Sequence, residues 1–244
     1  MTAPIVLIVG AGDYIGAAIA RRFAQGGFVV CLARRNGDKL TDLVDEIAAS
    51  GGVAYKFSMD ARDEDQTADL FKTIERDIGA LDLVIFNVGG NVHFPILETT
   101  SRVFRKVWEM ACFAGFLTGR EAARYMVPRG RGKVFFTGAS ASLRGKSGYS
   151  AFAAGKAGLR MVAQSMAREL GPQNIHVAHL IIDAAVDTDF IRERFKAQGK
   201  DPDRLPEDSL MNPSSVAEAY WSLYHQRKDG WSHELDLRPF SETW

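Results

Sequence analysis

Apolar β-branched runs alternate with helical patterns along most of the chain. "PIVLIVG" (4–10) reads as a buried strand, and "YIGAAIARRFAQGG" (14–27) as a helix that stops at glycine. The pattern then repeats. Strands are expected over 28–34, 52–60, 81–90, 132–139 and 175–182, and helices over 37–50, 63–78, 101–127 and 149–170. Pro128 is expected to mark the end of the long helix. A short charged helix (188–197), a polar segment, a helix over 213–227 and a last strand, "SHELDLRP" (232–239), complete the chain. Such alternation predicts a doubly wound α/β fold, a parallel sheet with helices on both faces. No second domain, repeat or low-complexity tract stands out, so residues 1–244 read as one domain. The least regular part is 188–213. A flap over a substrate pocket and an ordinary surface connection are both open there.

Composition narrows the function. Of 244 residues, 46% are apolar, enough for a full core, and the formal net charge is zero. Nothing therefore points to a nucleic-acid or anionic-membrane partner. Cys31 and Cys112 fall in different apolar runs, as buried thiols do in a reducing compartment. The N-terminal apolar run is short, has no basic flank and ends in glycines, and no stretch approaches the roughly 18 apolar residues of a membrane span. The expectation is a cytoplasmic protein acting on a small molecule. His176 and His179 lie three apart on a strand and face opposite sides, and no Cys/His cluster has ligand spacing, so no metal is expected. Tyr220, Trp221 and Tyr224 sit at helical spacing, as packing or an oligomer face would.

"GAGDYIG" places Gly10, Gly12 and Gly16 between the first strand and the first helix. Such a turn aims backbone N–H groups and a helix N-terminus at an anion. Its spacing resembles the G-x-x-x-G-x-G loop of the short-chain dehydrogenase/reductase family, with Tyr14 where the family has its middle glycine. Tyr14 either points away or crowds the cofactor; Ile15 beside it joins the expected cofactor-binding set. Asp13 brings a negative charge toward the phosphates. The second strand ends at Arg34 and Arg35, where a carboxylate would hydrogen-bond the ribose of NAD. A guanidinium fork suits a 2′-phosphate, so NADP(H) is favoured over NAD(H), the alternative being two solvated arginines. Asp60 resembles the family's acidic contact to the adenine amine.

The resemblance extends over roughly 4–240. "FNVGG" (86–90) is similar to the family's N-N-A-G segment, with Asn87 and Gly89 matching. "AGKAGLRMVAQSMARELGPQNIHV" resembles its following helix and sixth-strand approach. The likeness implies a single doubly wound Rossmann domain with a largely parallel seven-stranded sheet, an NAD(P)(H)-dependent oxidoreductase acting on a carbonyl or alcohol, and a homodimer or homotetramer built through the helices over 101–127 and 149–170. It also implies a catalytic Asn, Ser, Tyr and Lys. In this sequence those positions hold Ala111, Ala139, Phe152 and Lys156, so only the lysine is kept. Thr188 matches the family threonine at the nicotinamide carboxamide.

A phenyl ring has no exchangeable proton and a methyl group cannot polarise a carbonyl, so the chain needs a nonstandard proton donor. Ser140 is one residue from the serine position, and reaches the site only if the loop bulges. Tyr149 lies two helical turns before Lys156, either at the pocket mouth or packed where the helix starts. Asp183 stands where the family has proline, either near the nicotinamide end as a proton carrier or as a turn cap. His93 follows the fourth strand, as a proton-transfer group or a solvated side chain. The alternative function is a catalytically inactive NADP(H)-binding sensor or structural partner.

Overall fold

The computed structural model describes residues 3–242. Seven strands form one sheet: β1 (Ile5–Val9), β2 (Val29–Arg34), β3 (Val53–Ser58), β4 (Leu81–Phe86), β5 (Gly132–Thr137), β6 (Ile175–Ile182) and β7 (Glu234–Leu237). Their order is β3-β2-β1-β4-β5-β6-β7, and every neighbouring pair is parallel. The order reverses direction between β1 and β4, which opens a crevice at the carboxyl ends of the strands.

Each face of the sheet has its own core. On one side Ile8, Leu32 and Leu180 pack with Phe23 of α1 (Ile15–Gln25) and Tyr220 of α8 (Pro213–Tyr224). On the other, Leu7, Val84 and Phe136 pack with α3 (Glu64–Asp77), α5 (Ala114–Arg129) and α6 (Ser150–Leu170). β6 is buried along its whole length, which accounts for its unbroken apolar run. The aromatic run of α8 is packing: Trp221 and Tyr224 meet Phe23 and Phe28 edge to face, with the Phe28–Tyr224 ring centroids 4.9 Å apart. A β-carbon on Gly26 would lie 2.1 Å from the Trp221 ring, so that turn has room only for glycine.

Two helix expectations need correction. The element expected over 101–127 is α4 (Ser101–Trp108), a π-helical segment (Glu109–Phe113) and α5, and Pro128 lies inside its last turn. The helix ends at Gly130, in the left-handed conformation at φ 60°. Past the proline the last carbonyls are paired: Gly130 N–H bonds Val127 O and Arg131 N–H bonds Met126 O. Likewise, residues 37–40 form a 3-10 turn before α2 (Thr41–Ala49), because Asn36 caps that turn by accepting from Asp38 N–H. After β6 come α7 (Asp189–Ala197), a 3-10 turn at Pro202–Arg204 and the bridge Val186–Met211, so 188–213 is ordered by local structure. Among the described residues no helix is long and apolar enough to cross a membrane.

Candidate functional site

A cleft of about 720 Å³ runs over the carboxyl ends of β1, β2 and β4. The glycine loop forms its floor. Gly10 has φ +88°, and a β-carbon there would sit 2.8 Å from the Asn87 backbone. Asn87 ties the two strand ends together: its N–H bonds Val9 O at 2.7 Å and its side-chain amide bonds Gly10 O at 3.1 Å. A β-carbon on Gly16 would meet Ala11 at 2.7 Å, so α1 starts hard against the loop. Gly12 has nothing within 4 Å of its missing side chain and lines the cleft. The loop therefore leaves open space at the start of α1, where the Ala17 N–H is taken by Gly12 O and the N–H groups of Ile15 and Gly16 come before the first intrahelical bond. That combination suits a pyrophosphate.

The tyrosine in the loop lines the cleft, and its hydroxyl reaches across to α7. Tyr14 OH accepts from the N–H of Asp189 at 3.1 Å, which fastens the loop to the first residue of α7. Thr188 caps α7 by accepting from Ile191 N–H, and it lines the cleft together with Ile15 and Gly89. At the far end, Arg34 donates to Asp13 at 2.8 Å, so the two side chains neutralise each other. Arg35 lines the cleft beside Lys39 and Arg62. Asp60 lies there too, but Arg62 holds its carboxylate through two donors, at 2.9 and 2.5 Å. Those hydrogen bonds keep the Asp60 carboxyl below its usual range. Sequence reasoning missed Lys39 and Arg62. Their signal was the cluster of basic residues just after the second and third strands.

A smaller pocket of about 250 Å³ continues toward β5 and β6. Phe152, Ala139, Ser140, Asn91 and Lys156 line it. Lys156 is 2% exposed, and its Nζ donates to Thr137 O at 2.7 Å and Val88 O at 3.2 Å. Among the described residues no carboxylate meets it, and burial pushes its pKa down to about 8. Thr137 carries a second link: its hydroxyl donates to Asn87 Oδ1 at 2.9 Å and shares a 2.7 Å contact with the buried Tyr220 hydroxyl. Thr137 and Asn91 were not picked out from the sequence, since single polar residues at strand ends give no pattern. Ala111 falls in the π-helical segment, packed where a β-carbon on Gly155 would be 2.9 Å away, and does not line the pocket.

Two expected proton donors are held elsewhere. Asp183 is buried at the end of β6, yet it lines neither cavity. Its oxygens accept from Arg144 at 2.9 and 3.1 Å, and Arg238 lies 3.7 Å away. The placement therefore departs from a carboxyl at the nicotinamide end: guanidinium groups occupy both oxygens. Tyr149 precedes α6, its hydroxyl accepts from Arg194 of α7, and its ring meets His93 at 5.0 Å. Neither Tyr149 nor His93 lines the two cavities. Of the four residues expected to carry chemistry, the structure brings Lys156 and Ser140 together. Among the described residues no cluster of His, Cys, Asp or Glu is suited to a metal.

Comparison with known proteins gives consistent matches. The family model for short chain dehydrogenases matches residues 4–199. A crystal structure of a short-chain dehydrogenase from Rhodopseudomonas palustris is 52% identical, covers 98% of this chain and 100% of its own, and superposes with a TM-score of 0.84. The 2-dehydro-3-deoxy-D-gluconate 5-dehydrogenase of Formosa agariphila is 31% identical over 176 residues, which is 71% of this chain and 66% of that relative. The match thus spans about two thirds of the relative's length. A metagenomic short-chain oxidoreductase crystallised with NADP shares 23% identity, covers 98% of both chains and has a TM-score of 0.82, a likeness of fold.

Proposed function

The chain belongs to the short-chain dehydrogenase family, a family of oxidoreductases, and from that premise we propose an NADP(H)-dependent enzyme that interconverts a small carbonyl compound and its alcohol without a catalytic tyrosine. The observation that carries this reading is the form of the large cleft. It has an open glycine at one end, a basic rim of Arg35, Lys39 and Arg62, and a separate pocket around Lys156.

Each group has a task. Gly10, Gly12, Ile15 and Gly16 cradle the pyrophosphate, with Tyr14 on the wall of the cleft, its hydroxyl holding α7. Arg35 and Lys39 meet a 2′-phosphate, and Arg34 joins them once it leaves Asp13; such exposed pairs rearrange at little cost. Asp60 contacts the adenine when Arg62 swings to the phosphate. Asn87, Gly89, Thr188 and Lys156 hold the nicotinamide ribose and its amide. Bound there, the cofactor supplies hydride transfer to the substrate carbon. Ser140 and Asn91 orient the substrate oxygen, and the Phe152 ring keeps water from it. Segment 188–213 serves as the flap, with Phe190 and Ile191 forming the outer wall of the substrate entrance. The preference for NADP(H) also draws on the metagenomic oxidoreductase that binds NADP.

Exposed aromatics on α4 and α5 (Phe104 41%, Trp108 39%, Phe116 39%) and Met161 of α6 (50%) support a homodimer or homotetramer through these helices. The alternative, a cofactor-binding sensor without turnover, draws its support from the absence of a hydroxyl at 139 and 152. Titrating the protein with NADPH and NADH, following cofactor fluorescence, tests the reading. We expect NADPH to bind at least tenfold more tightly, and Arg35→Glu to reverse the order. Failure of both cofactors to bind at millimolar concentration would remove enzyme and sensor together. Binding without consumption of NADPH across a panel of ketones and aldehydes would leave the sensor.

A further inference from the structure

Behind Gly138, on the wall of the inner pocket, lies a histidine with no assigned task. His179 of β6 is fully buried, on the side of the sheet covered by α6. Neither ring nitrogen has a hydrogen-bond partner among the described residues. Buried polar groups in folded proteins are nearly always paired, so an imidazole with two unpaired nitrogens calls for a reason. Its surroundings form a line. Nδ1 faces Glu234 Oε2 of β7 at 3.5 Å. Glu234 is partly exposed and is gripped by Arg160 through two hydrogen bonds, at 2.6 and 2.7 Å. Arg160 sits four residues after Lys156 on α6, on the same helix face. On its other side the ring abuts Gly138: a β-carbon there would lie 2.4 Å from Nε2. Gly138 lines the substrate pocket and directly follows Thr137, whose carbonyl holds the Lys156 ammonium. Any side chain at 138 would collide with the imidazole.

We propose that Lys156 itself exchanges the proton with the substrate oxygen, and that His179 links it to Glu234 at the surface. The inference rests on the oxidoreductase reading above. Lys156 is the only ionisable side chain among the described residues lining the inner pocket. An ammonium has three N–H groups: Thr137 O keeps one, the ribose takes one, and the longer bond to Val88 O, at 3.2 Å, gives way to free the third for a substrate. In reduction, the carbonyl carbon takes the hydride supplied by a reduced nicotinamide. The carbonyl oxygen takes a proton from Nζ, leaving a neutral amine. A proton from water then enters through the Glu234 carboxylate to Nδ1, and Nε2 releases its own toward Nζ. Between turnovers Nδ1 returns a proton to Glu234 and Nε2 takes one from water in the open pocket, which restores the Nε2–H tautomer. Oxidation runs the same transfers backward. The charged and titratable groups acting on His179 are Lys156 and Arg160 from α6, Glu234 from β7 and His233 just before it. Burial first, and the Lys156 charge second, lower its pKa, so the ring is neutral between transfers. Lys156, titrating near 8, exchanges its proton readily at neutral pH. Lys156 is the catalytic residue here; His179 acts through it.

The test reads proton movement directly, without a substrate. In full-length protein carrying 15N-lysine, the Lys156 Nζ signal is followed against pH, and the exchange of its protons with water is timed. We expect a midpoint near 8. His179→Leu should slow the exchange at least tenfold, and Glu234→Gln should slow it severalfold. The amide spectrum of each variant reports its fold, and His179→Gln, which keeps a polar side chain without a titrating ring, replaces the leucine variant if that one does not fold. Exchange unchanged in a folded His179 variant would overturn the link. A Lys156 that keeps its proton above pH 10 would overturn its role as donor. Absence of NADPH binding would instead fail the oxidoreductase reading, and the exchange rates would still decide between link and no link.

Discussion

Polar groups are used differently at the two ends of the cleft. At the rim near β2 and β3, charges pair with each other: Asp13 with Arg34, and Asp60 with Arg62. Asp13 is exposed and the other three are partly exposed. Around Lys156, the ammonium and the His179 ring are buried and make no hydrogen-bonded ion pair among the described residues. Among the described residues the ammonium meets only carbonyls, and neither nitrogen of His179 has a hydrogen-bond partner, with Glu234 Oε2 3.5 Å from Nδ1. An exposed ion pair contributes little to stability and opens easily when a ligand offers a better partner. A buried unpaired ammonium costs free energy in the empty protein and cannot swing away. The rim is therefore a surface that a ligand completes. The inner pocket is a fixed array that the fold maintains at a cost, and a maintained cost with a perturbed pKa in a cleft marks a functional place.

The sharpest way to break this comparison is at the glycine loop. Gly10→Val forces a branched side chain into φ +88° and against the Asn87 backbone, 2.8 Å from its β-carbon. We expect a loss of at least about 100-fold in NADPH affinity and a destabilisation of about 2–3 kcal/mol, from the backbone strain and the clash. Fluorescence titration and urea unfolding measure the two effects. An affinity within about threefold of wild type would mean that the loop is not where the cofactor's phosphates lie.

The next largest effect is expected at the other end. Ala139→Ser with Phe152→Tyr restores two hydroxyl groups to the pocket beside Lys156. A positioned acid typically contributes at least about 100-fold, so we expect NADPH-dependent ketone reduction to rise by roughly 10- to 100-fold. The tyrosine would then carry the proton, and turnover in this background should no longer respond to His179→Leu. An unchanged rate in the double variant would favour the sensor.

Stability against pH separates the two ends further. Lys156 has a folded pKa of about 8, below the unfolded value near 10.4. Above the folded pKa the native state holds fewer protons at this site than the unfolded chain, so stability rises with pH. The window runs from about pH 8 to the unfolded value, and the gain is of the order of 3 kcal/mol for full titration. Comparing wild type with Lys156→Met by urea unfolding at pH 7.5, 9 and 10 isolates this contribution. We expect the methionine variant to be the more stable at pH 7.5 and the difference to shrink as pH rises. A constant difference would mean that the ammonium does not titrate in this range.

Most of the sheet was legible because each central strand is buried on both faces, and a run such as "IHVAHLII" has one simple explanation. The glycines were legible because φ +88° and close backbone approach admit little else. The limits of the long helix were less so. Pro128 reads as a stop, but Gly130 two residues later supplies the actual cap. The pocket was legible as a deficit, in Phe152 and Ala139. What takes over was hidden, because it depends on which side chains the fold brings together across the sheet. Asp183 looked poised for chemistry until Arg144 and Arg238, 39 residues before it and 55 residues after it, closed on it. His179 reads in sequence as one more residue of an apolar strand, and gains meaning only beside Gly138, Glu234 and Lys156.

The smallest expected effect tests how the rim communicates with the flap. Tyr14 replaces a loop glycine of the family, and its hydroxyl takes up the Asp189 N–H at the start of α7. A single partly exposed hydrogen bond is worth about 0.5–1.5 kcal/mol. Tyr14→Phe keeps the ring and removes only that bond. Amide exchange over 189–197 should then quicken by roughly 2- to 10-fold, the equivalent of that free energy, while NADPH affinity changes by no more than about threefold. α7 has other anchors: the Thr188 cap, the Arg194 bond to Tyr149, and the Asp187–Arg192 pair at 2.5 Å. If exchange over α7 does not change in Tyr14→Phe, those anchors hold the helix alone. The loop and the flap would then be independent, and the tyrosine would be a spacer. If exchange quickens and bound NADPH slows it again, the loop reports cofactor occupancy to the segment over the substrate pocket. The two ends of the cleft would then be coupled through one hydroxyl.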